Sequence, residues 1–206
     1  MSFTKFTTIY LARHGEAHNP GGLLYGRLPR VRLSPEGRRQ AQALADFLAP
    51  RPLAAIYSSP MLRARRTADA VLATRSDLSR IRIDADLQEV RTAWQGEPLN
   101  TLEQIDWDFY GHPRGADDES LQMIRDRMQR WLNRVLRRHA GAEALGVSHG
   151  DPLLILAGTL RGLPLVPDRI FPRPYIATGS LYRLRFDAHG ECREVEFVVP
   201  HEQAAA

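Results

Sequence analysis

Short apolar runs alternate with longer amphipathic stretches along most of the chain, and the two patterns predict different elements. Runs of β-branched and apolar residues bounded by turn residues are typical of buried strands. They predict strands at 6–12, 53–57 and 143–148, a weaker strand at 81–87, and a closing hairpin of 181–186 with 193–199. Apolar residues at helical spacing predict helices at 35–48, 61–72, 118–138 and 153–160, with one or two short helices between 94 and 114. Strands that alternate with helices indicate a layered α/β domain.

Two serine–proline pairs stand where helices are expected to begin. Ser34-Pro35 precedes the first predicted helix and Ser59-Pro60 precedes the second. Serine is a favoured N-cap, and proline is favoured at the first helical position. Each pair therefore predicts a capped helix start.

Three predicted strands end in polar, small or basic residues. These ends are Arg13-His14-Gly15, Ser58-Ser59-Pro60 and Ser148-His149-Gly150. In α/β sheets, ligands bind beyond the carboxyl ends of the strands. The sequence therefore predicts one binding site that draws on all three strand ends.

The composition limits the possible classes of function. The chain has 206 residues, 43% of them hydrophobic, and its single cysteine excludes a disulfide framework. We expect a cytoplasmic protein that does not bind membranes, because neither a signal-peptide pattern nor a membrane-length apolar run is present. The net charge is +4, but the arginines are interleaved with acids, so we expect small anionic substrates and no nucleic acid. The oligomeric state is not predicted.

Arg13-His14-Gly15 has the residue types needed to attack a phosphate ester. A neutral imidazole is a nucleophile, and the planar guanidinium of Arg13 matches phosphate oxygens. The adjacent positive charge should also lower the pKa of His14. Gly15 would allow a close approach of backbone and ligand. The alternative is that His14 is a core or capping histidine.

Two further segments add to this chemistry. His149-Gly150 places a second histidine at a strand end, before a helix N-terminus that favours anions. Arg63 lies one turn inside the second predicted helix, and helical side chains lean back toward the N-terminus. For His149, an ordinary loop histidine bonded to backbone remains the alternative.

Four motifs in order resemble the histidine phosphatase superfamily, the phosphoglycerate-mutase-like proteins, and its small phosphatase branch in particular. They are LARHGE, LSPEGRRQA, SSPMLRARRTA and VSHGD, and the resemblance extends from about residue 7 to residue 185. It implies a three-layer α/β/α sandwich with a mostly parallel central sheet. It also implies a single catalytic domain over 1–206, with a substrate-capping insertion around 94–120.

The resemblance implies roles for individual residues. His14 would be the nucleophile that becomes phosphorylated, and Glu89 would be the acid that protonates the leaving oxygen. The pKa of Glu89 should then lie above its ordinary value. The remaining catalytic or substrate-binding residues would be Arg13, Arg63, His149, Gly150 and Asn19. No metal ion and no cofactor is expected.

Two positions depart from the family pattern or have rivals. Asn19 falls five residues after His14, one fewer than the commoner family spacing, so His18 is a rival for facing the cleft. Glu97 is a rival to Glu89 as the acid. The expected activity is hydrolysis of a small phosphorylated metabolite, without a metal ion. The alternatives are a phosphoglycerate-mutase-type phosphotransferase and a catalytically inactive phosphate-binding module.

Overall fold

The structure is a computed structural model that describes residues 6–200. The predicted domain bounds of 1–206 extend beyond these residues at both ends. The strands are β1 (Thr7–Arg13), β2 (Leu53–Ser58), β3 (Ile81–Ile83), β4 (Glu143–Ser148), β5 (Leu181–Phe186) and β6 (Cys192–Val198). The helices are α1 (Pro35–Leu48), α2 (Leu62–Ala73), α3 (Leu99–Glu103), α4 (Leu121–Arg138), α5 (Gly150–Leu160) and α6 (Pro167–Ile170), with a 3-10 turn at Ala85–Leu87.

The six strands form one sheet in the order β3-β2-β4-β1-β5-β6. The pairs β2–β3, β2–β4 and β1–β4 are parallel, whereas β5 and β6 close the sheet as an antiparallel hairpin beside β1. The predicted mostly parallel sheet is therefore confirmed. Because β1 and β4 are parallel neighbours, with Arg13 opposite Ser148, the residues that follow them emerge side by side.

Alternate residues of β1 enter two separate cores, as the twofold repeat of a strand requires. Ile9 and Leu11 belong to the core formed with α4 and α5. Tyr10 and Ala12 belong to the core formed with α1 and α2. Helices thus cover both faces of the sheet, which confirms the three-layer α/β/α sandwich. Within residues 6–200, no helix combines the length and apolar character needed to cross a bilayer.

Four element predictions were wrong in part. Helix α4 starts at Leu121, three residues later than predicted, because the Ser120 side chain caps it by accepting from Met123 N. The strand predicted at 81–87 ends at Ile83, because the Asp84 side chain caps the following 3-10 turn by accepting from Asp86 N at 3.0 Å. Helix α2 starts at Leu62 with Met61 as its N-cap, so Ser59-Pro60 does not open it. Helix α5 starts at Gly150, three residues earlier than predicted. By contrast, the start of α1 at Ser34-Pro35 is confirmed.

Candidate active site

His14 lies immediately after β1 and is 1% exposed. The residue after it, Gly15, donates its N–H to Thr67 Oγ1 at 3.0 Å. A Cβ on Gly15 would lie 2.2 Å from the carbonyl oxygen of Gly37 in α1. Gly15 is therefore needed so that the backbone can pack against α1, while its role in the close approach of a ligand stays a prediction. This contact fixes the backbone that carries the imidazole.

Hydrogen bonds define the tautomer of the His14 ring. Its Nδ1 lies 2.7 Å from the carbonyl oxygen of Gly15, which only accepts, so Nδ1 carries the proton. Its Nε2 lies 3.0 Å from Arg63 Nε, which only donates. The lone pair of His14 therefore resides on Nε2, the nitrogen that faces the arginine.

Arg63 and His149 complete this cluster. The Arg63 side chain is fully buried, and its Nη2 lies 3.0 Å from His149 Nδ1 and 2.7 Å from the carbonyl oxygen of Gly26. His149 Nε2 is 2.8 Å from Ser59 Oγ, so His149 donates there and keeps its lone pair on Nδ1. The two imidazole centroids are 5.1 Å apart. Both histidines thus point a lone pair at one guanidinium group.

The environment keeps both imidazoles neutral. The pKa of His14 lies well below its ordinary value, first because the ring is buried, and then because Arg63 and Arg13 are nearby cations. The pKa of His149 is lowered in the same direction by burial and by Arg63. The predicted effect of Arg13 on His14 is present, but burial is the larger cause. A neutral His14 is the state required of a nucleophile.

Glu89 reaches this cluster with its carboxyl group. Its Oε2 lies 3.7 Å from His149 Nδ1 and 4.0 Å from Arg63 Nη2. Burial, followed by the charge of Asp151, raises the pKa of Glu89 to about 7, in the direction predicted. The rival Glu97 instead pairs with the half-exposed Arg114 at 3.2 Å. The geometry therefore favours Glu89 as the acid.

Arg13 lies at the edge of the cluster. Its Nη1 donates to the carbonyl oxygen of Ile176, and its guanidinium lies 5.0 Å from the centre of the Tyr175 ring. Its buried Nε has no hydrogen-bond partner among residues 6–200.

Asn19, His18 and Gly150 have other surroundings. The Asn19 amide donates from Nδ2 to the Leu23 carbonyl oxygen at 2.9 Å and accepts from Leu23 N at 3.2 Å, so it stabilises its own loop. His18 is exposed. Gly150 is the first residue of α5, where a Cβ would lie 2.2 Å from Tyr175 Oη. Gly150 therefore makes room for a tyrosine hydroxyl beside the site.

Metal binding has to be considered, because His14, Glu89 and His149 each place one possible ligand atom within 4.8 Å of the others. The lone pairs of both histidines, however, face the guanidinium of Arg63 at 3.0 Å. A metal ion between them would meet a fixed positive charge. This arrangement suits an anion better than a cation.

Two groups in the site have roles that the sequence does not predict. Ser59 orients His149 through its hydroxyl, whereas the sequence predicts only that Ser59 lies at a strand end near the site and at a helix start. Asp151 follows His149-Gly150 in the VSHGD motif, but no role had been assigned to it. Both lie within motifs that the sequence did single out.

Comparisons with known proteins agree with this geometry. Residues 9–197 match the family model of the histidine phosphatase superfamily (branch 1). The chain is 36% identical over 168 residues to the uncharacterized protein Rv0525 of Mycobacterium tuberculosis, covering 79% of this chain and 82% of that protein. It is 31% identical over 165 residues to phosphoserine phosphatase 1 of Hydrogenobacter thermophilus, covering 76% and 77% of the two chains.

Two further relatives extend the comparison. A probable phosphoglycerate mutase of Cronobacter sakazakii is 30% identical over 179 residues, with 78% of each chain covered. The solved structure of YhfR from Bacillus stearothermophilus has a TM-score of 0.80 at 27% identity, covering 92% of this chain and 96% of that one. On the match of its sequence and the likeness of its fold, this chain belongs to the histidine phosphatase superfamily.

Proposed function

We propose that this protein is a metal-independent phosphatase that hydrolyses small phosphorylated metabolites through a phosphohistidine at His14. One observation carries the proposal. A buried, neutral imidazole with its lone pair on Nε2 lies in the same cluster as Glu89, whose pKa is about 7. A nucleophile without a proton and an acid with one are what the first chemical step requires.

In the first step, the Nε2 lone pair of His14 attacks phosphorus. The P–N bond forms as the P–O bond of the ester breaks, and Glu89 gives its proton to the leaving oxygen. The alcohol departs neutral and Glu89 becomes a carboxylate. Arg13 and Arg63 stabilise the charge on the phosphoryl oxygens. An arriving phosphate also favours a protonated His149, which can then donate from Nδ1.

In the second step, water attacks the phosphorus of the phosphohistidine. The P–N bond breaks, the Glu89 carboxylate accepts a proton from the water, and inorganic phosphate leaves. His14 and Glu89 return to their starting protonation states. Guanidinium groups provide the charge that a metal ion provides in other phosphoryl-transfer enzymes.

The insertion of residues 94–120, called the excursion below, is proposed to cap the substrate. It joins the site through Tyr110, whose hydroxyl donates to Asp151 Oδ2 at 2.6 Å. The similarity to phosphoserine phosphatase 1 of Hydrogenobacter thermophilus supports a small phosphorylated substrate. We also propose a cytoplasmic location, which agrees with the single, partly buried Cys192.

The test is to trap the intermediate. The protein is mixed with a phosphomonoester, quenched in base because phosphohistidine is acid-labile, digested and mapped by mass spectrometry. We expect a phosphoryl group on His14, and no turnover by His14→Ala. The matched control is His18→Ala, which removes an exposed imidazole nearby and should keep full activity. Phosphate release by His14→Ala at the wild-type rate would refute the proposal.

Three assays separate the remaining possibilities. A panel of phosphomonoesters, scored by released phosphate, identifies the substrate. If the protein converted 3-phosphoglycerate to 2-phosphoglycerate faster than it released free phosphate, the assigned activity would be that of a mutase and not of a phosphatase. If EDTA abolished activity and Mg²⁺ restored it, metal independence would be wrong. If no ester gave a His14 adduct, the protein would be a phosphate-binding module and not an enzyme of this mechanism.

A further inference from the structure

A second carboxylate lies beside the site described above. Asp151 is in the first turn of α5, two residues after His149. Both of its oxygens accept hydrogen bonds from phenols: Oδ2 from Tyr110 at 2.6 Å and Oδ1 from Tyr175. None of the steps proposed for hydrolysis uses this group.

The two phenols come from different segments of the chain. Tyr110 belongs to the 94–120 excursion, and its ring stacks on Phe171 with 5.6 Å between centroids and 12° between planes. Tyr175 lies before β5, under the guanidinium of Arg13. Gly150 leaves the space that the Tyr175 hydroxyl occupies. Asp151 therefore ties both segments to the start of α5.

The hydrogen bonds indicate which carboxyl group of the site carries a proton. Asp151 accepts from two hydroxyl groups, whereas Glu89 accepts one bond, from Val90 N at 3.0 Å. Donors stabilise the ionised form of a carboxyl group. Burial raises the pKa of Asp151, while the two phenols and Arg13 oppose that rise. The negative charge therefore resides on Asp151 and the proton on Glu89.

Charged and titratable groups face Glu89 from every neighbouring element. They are Arg13 after β1, Arg63 in α2, His149 before α5, Asp151 in α5, Tyr110 in the excursion and Tyr175 before β5. Two more guanidinium groups, of Arg27 and Arg127, donate to its backbone carbonyl oxygen. The arginines favour an ionised Glu89. Among these side chains, the ionised Asp151 is the one that opposes it most strongly.

We propose that Asp151 is a positioning residue that keeps the proton on Glu89 until the leaving oxygen takes it. It acts by placing a negative charge near that carboxyl group, a charge that its hydrogen bonds from Tyr110 and Tyr175 stabilise. This inference rests on the proposed function of Glu89 as the acid. It adds to the reaction a second carboxylate, which acts through its charge and whose side-chain hydrogen bonds within residues 6–200 are to two phenols.

The test is Asp151→Asn, which keeps the shape of the side chain and removes its charge. Removing a neighbouring negative charge should move the basic limb of the pH–rate profile down by about one pH unit. Above that limb, hydrolysis of an alkyl phosphate should fall about tenfold, because one unit lowers the protonated fraction of Glu89 by that factor. Hydrolysis of p-nitrophenyl phosphate, whose leaving group needs little protonation, should change much less.

The matched control is Asp168→Asn, which removes an exposed carboxylate from α6 and should leave the limb in place. Asp151→Ser is a second charge-removing variant in case the asparagine does not fold. If the basic limb of a folded variant lay at the wild-type pH or at a higher pH, the inference would be wrong. The His14 adduct is measured in the same samples. If it forms while the limb is unmoved, only the role of Asp151 fails; if it is missing from wild type, the proposed function itself fails.

Discussion

Glu89→Gln should make the protein less active and, above neutral pH, more stable. The wild-type side chain is 14% exposed, and its pKa rises from an ordinary 4.5 to about 7. Glutamine has nearly the same shape but can neither donate the catalytic proton nor become charged. One substitution therefore tests both the role of the acid and the cost of ionising it inside the protein.

The stability change follows from proton linkage. A raised pKa means that folding strengthens proton binding, so the stabilisation is complete below about pH 4.5 and is lost as the pH rises to about 7. A shift of that size corresponds to about 3 kcal/mol. At pH 8 the glutamine variant should gain up to about 3 kcal/mol over wild type, and at pH 4.5 little. Urea unfolding at the two pH values measures the difference.

The activity change depends on the leaving group. General acid catalysis typically contributes a factor of about 10²–10⁴, so hydrolysis of an alkyl phosphate should slow by that range. The basic limb near pH 7 should disappear from its pH–rate profile. Hydrolysis of p-nitrophenyl phosphate should lose much less, because its phenolate leaves without a proton.

Glu97→Gln is the matched control, because Glu97 is the other carboxylate that the sequence allowed as the acid. It pairs with Arg114 away from the histidines, so the substitution should leave both the limb and the alkyl phosphate rate unchanged. If Glu97→Gln removed the limb and Glu89→Gln did not, the assignment of the acid would be wrong. If neither variant gained stability at pH 8, Glu89 would not be the buried acid described above.

Two other substitutions test the nucleophile and its support. Arg63→Met removes a cation that lowers the pKa of His14. The acid limb of the kcat/KM profile should therefore move to higher pH, and turnover should fall by a factor of about 10²–10³. An acid limb that did not move would contradict this electrostatic role. Gly15→Ala places a Cβ 2.2 Å from Gly37 O, a backbone atom that cannot move away by changing rotamer. The free energy of unfolding in urea should therefore fall by about 1–3 kcal/mol or more. Unchanged stability would contradict the close packing.

The strands and helices of the central sheet and its two layers were predicted well from sequence, because buried elements have recognisable patterns of apolar residues. The runs that became β1, β2 and β4 are apolar, and each ends where a polar side chain enters the site. The four motifs then identified Arg13, His14, Arg63 and His149, which the structure brings together or, for Arg13, places at the cluster's edge. Their convergence follows from strands that run in one direction.

The contacts between loops were not predictable in the same way. Tyr110 and Asp151 are 41 positions apart, and nothing periodic in the sequence relates them. The position of Ser59 near the site was predicted but its contact with His149 was not, because the same hydroxyl chemistry that caps a helix also orients a histidine. The strand predicted at 81–87 ends early because the Asp84 side chain caps a 3-10 turn, a local interaction that outweighed the weak strand pattern.

The parallel pairing of β1 with β4 has a consequence for changing the specificity of this protein. The ring separation of 5.1 Å is close to the spacing of about 4.8 Å between neighbouring strands. The spacing of the two imidazoles is therefore set mainly by backbone hydrogen bonds between β1 and β4. Exchanging the rest of the connections 19–33 and 94–120 should change the preferred ester while the phosphoryl-transfer chemistry is retained, provided that Gly26, Arg27 and Tyr110, which bond to the site, are kept. A single residue inserted within β1, in contrast, would rotate one imidazole to the opposite face and end catalysis.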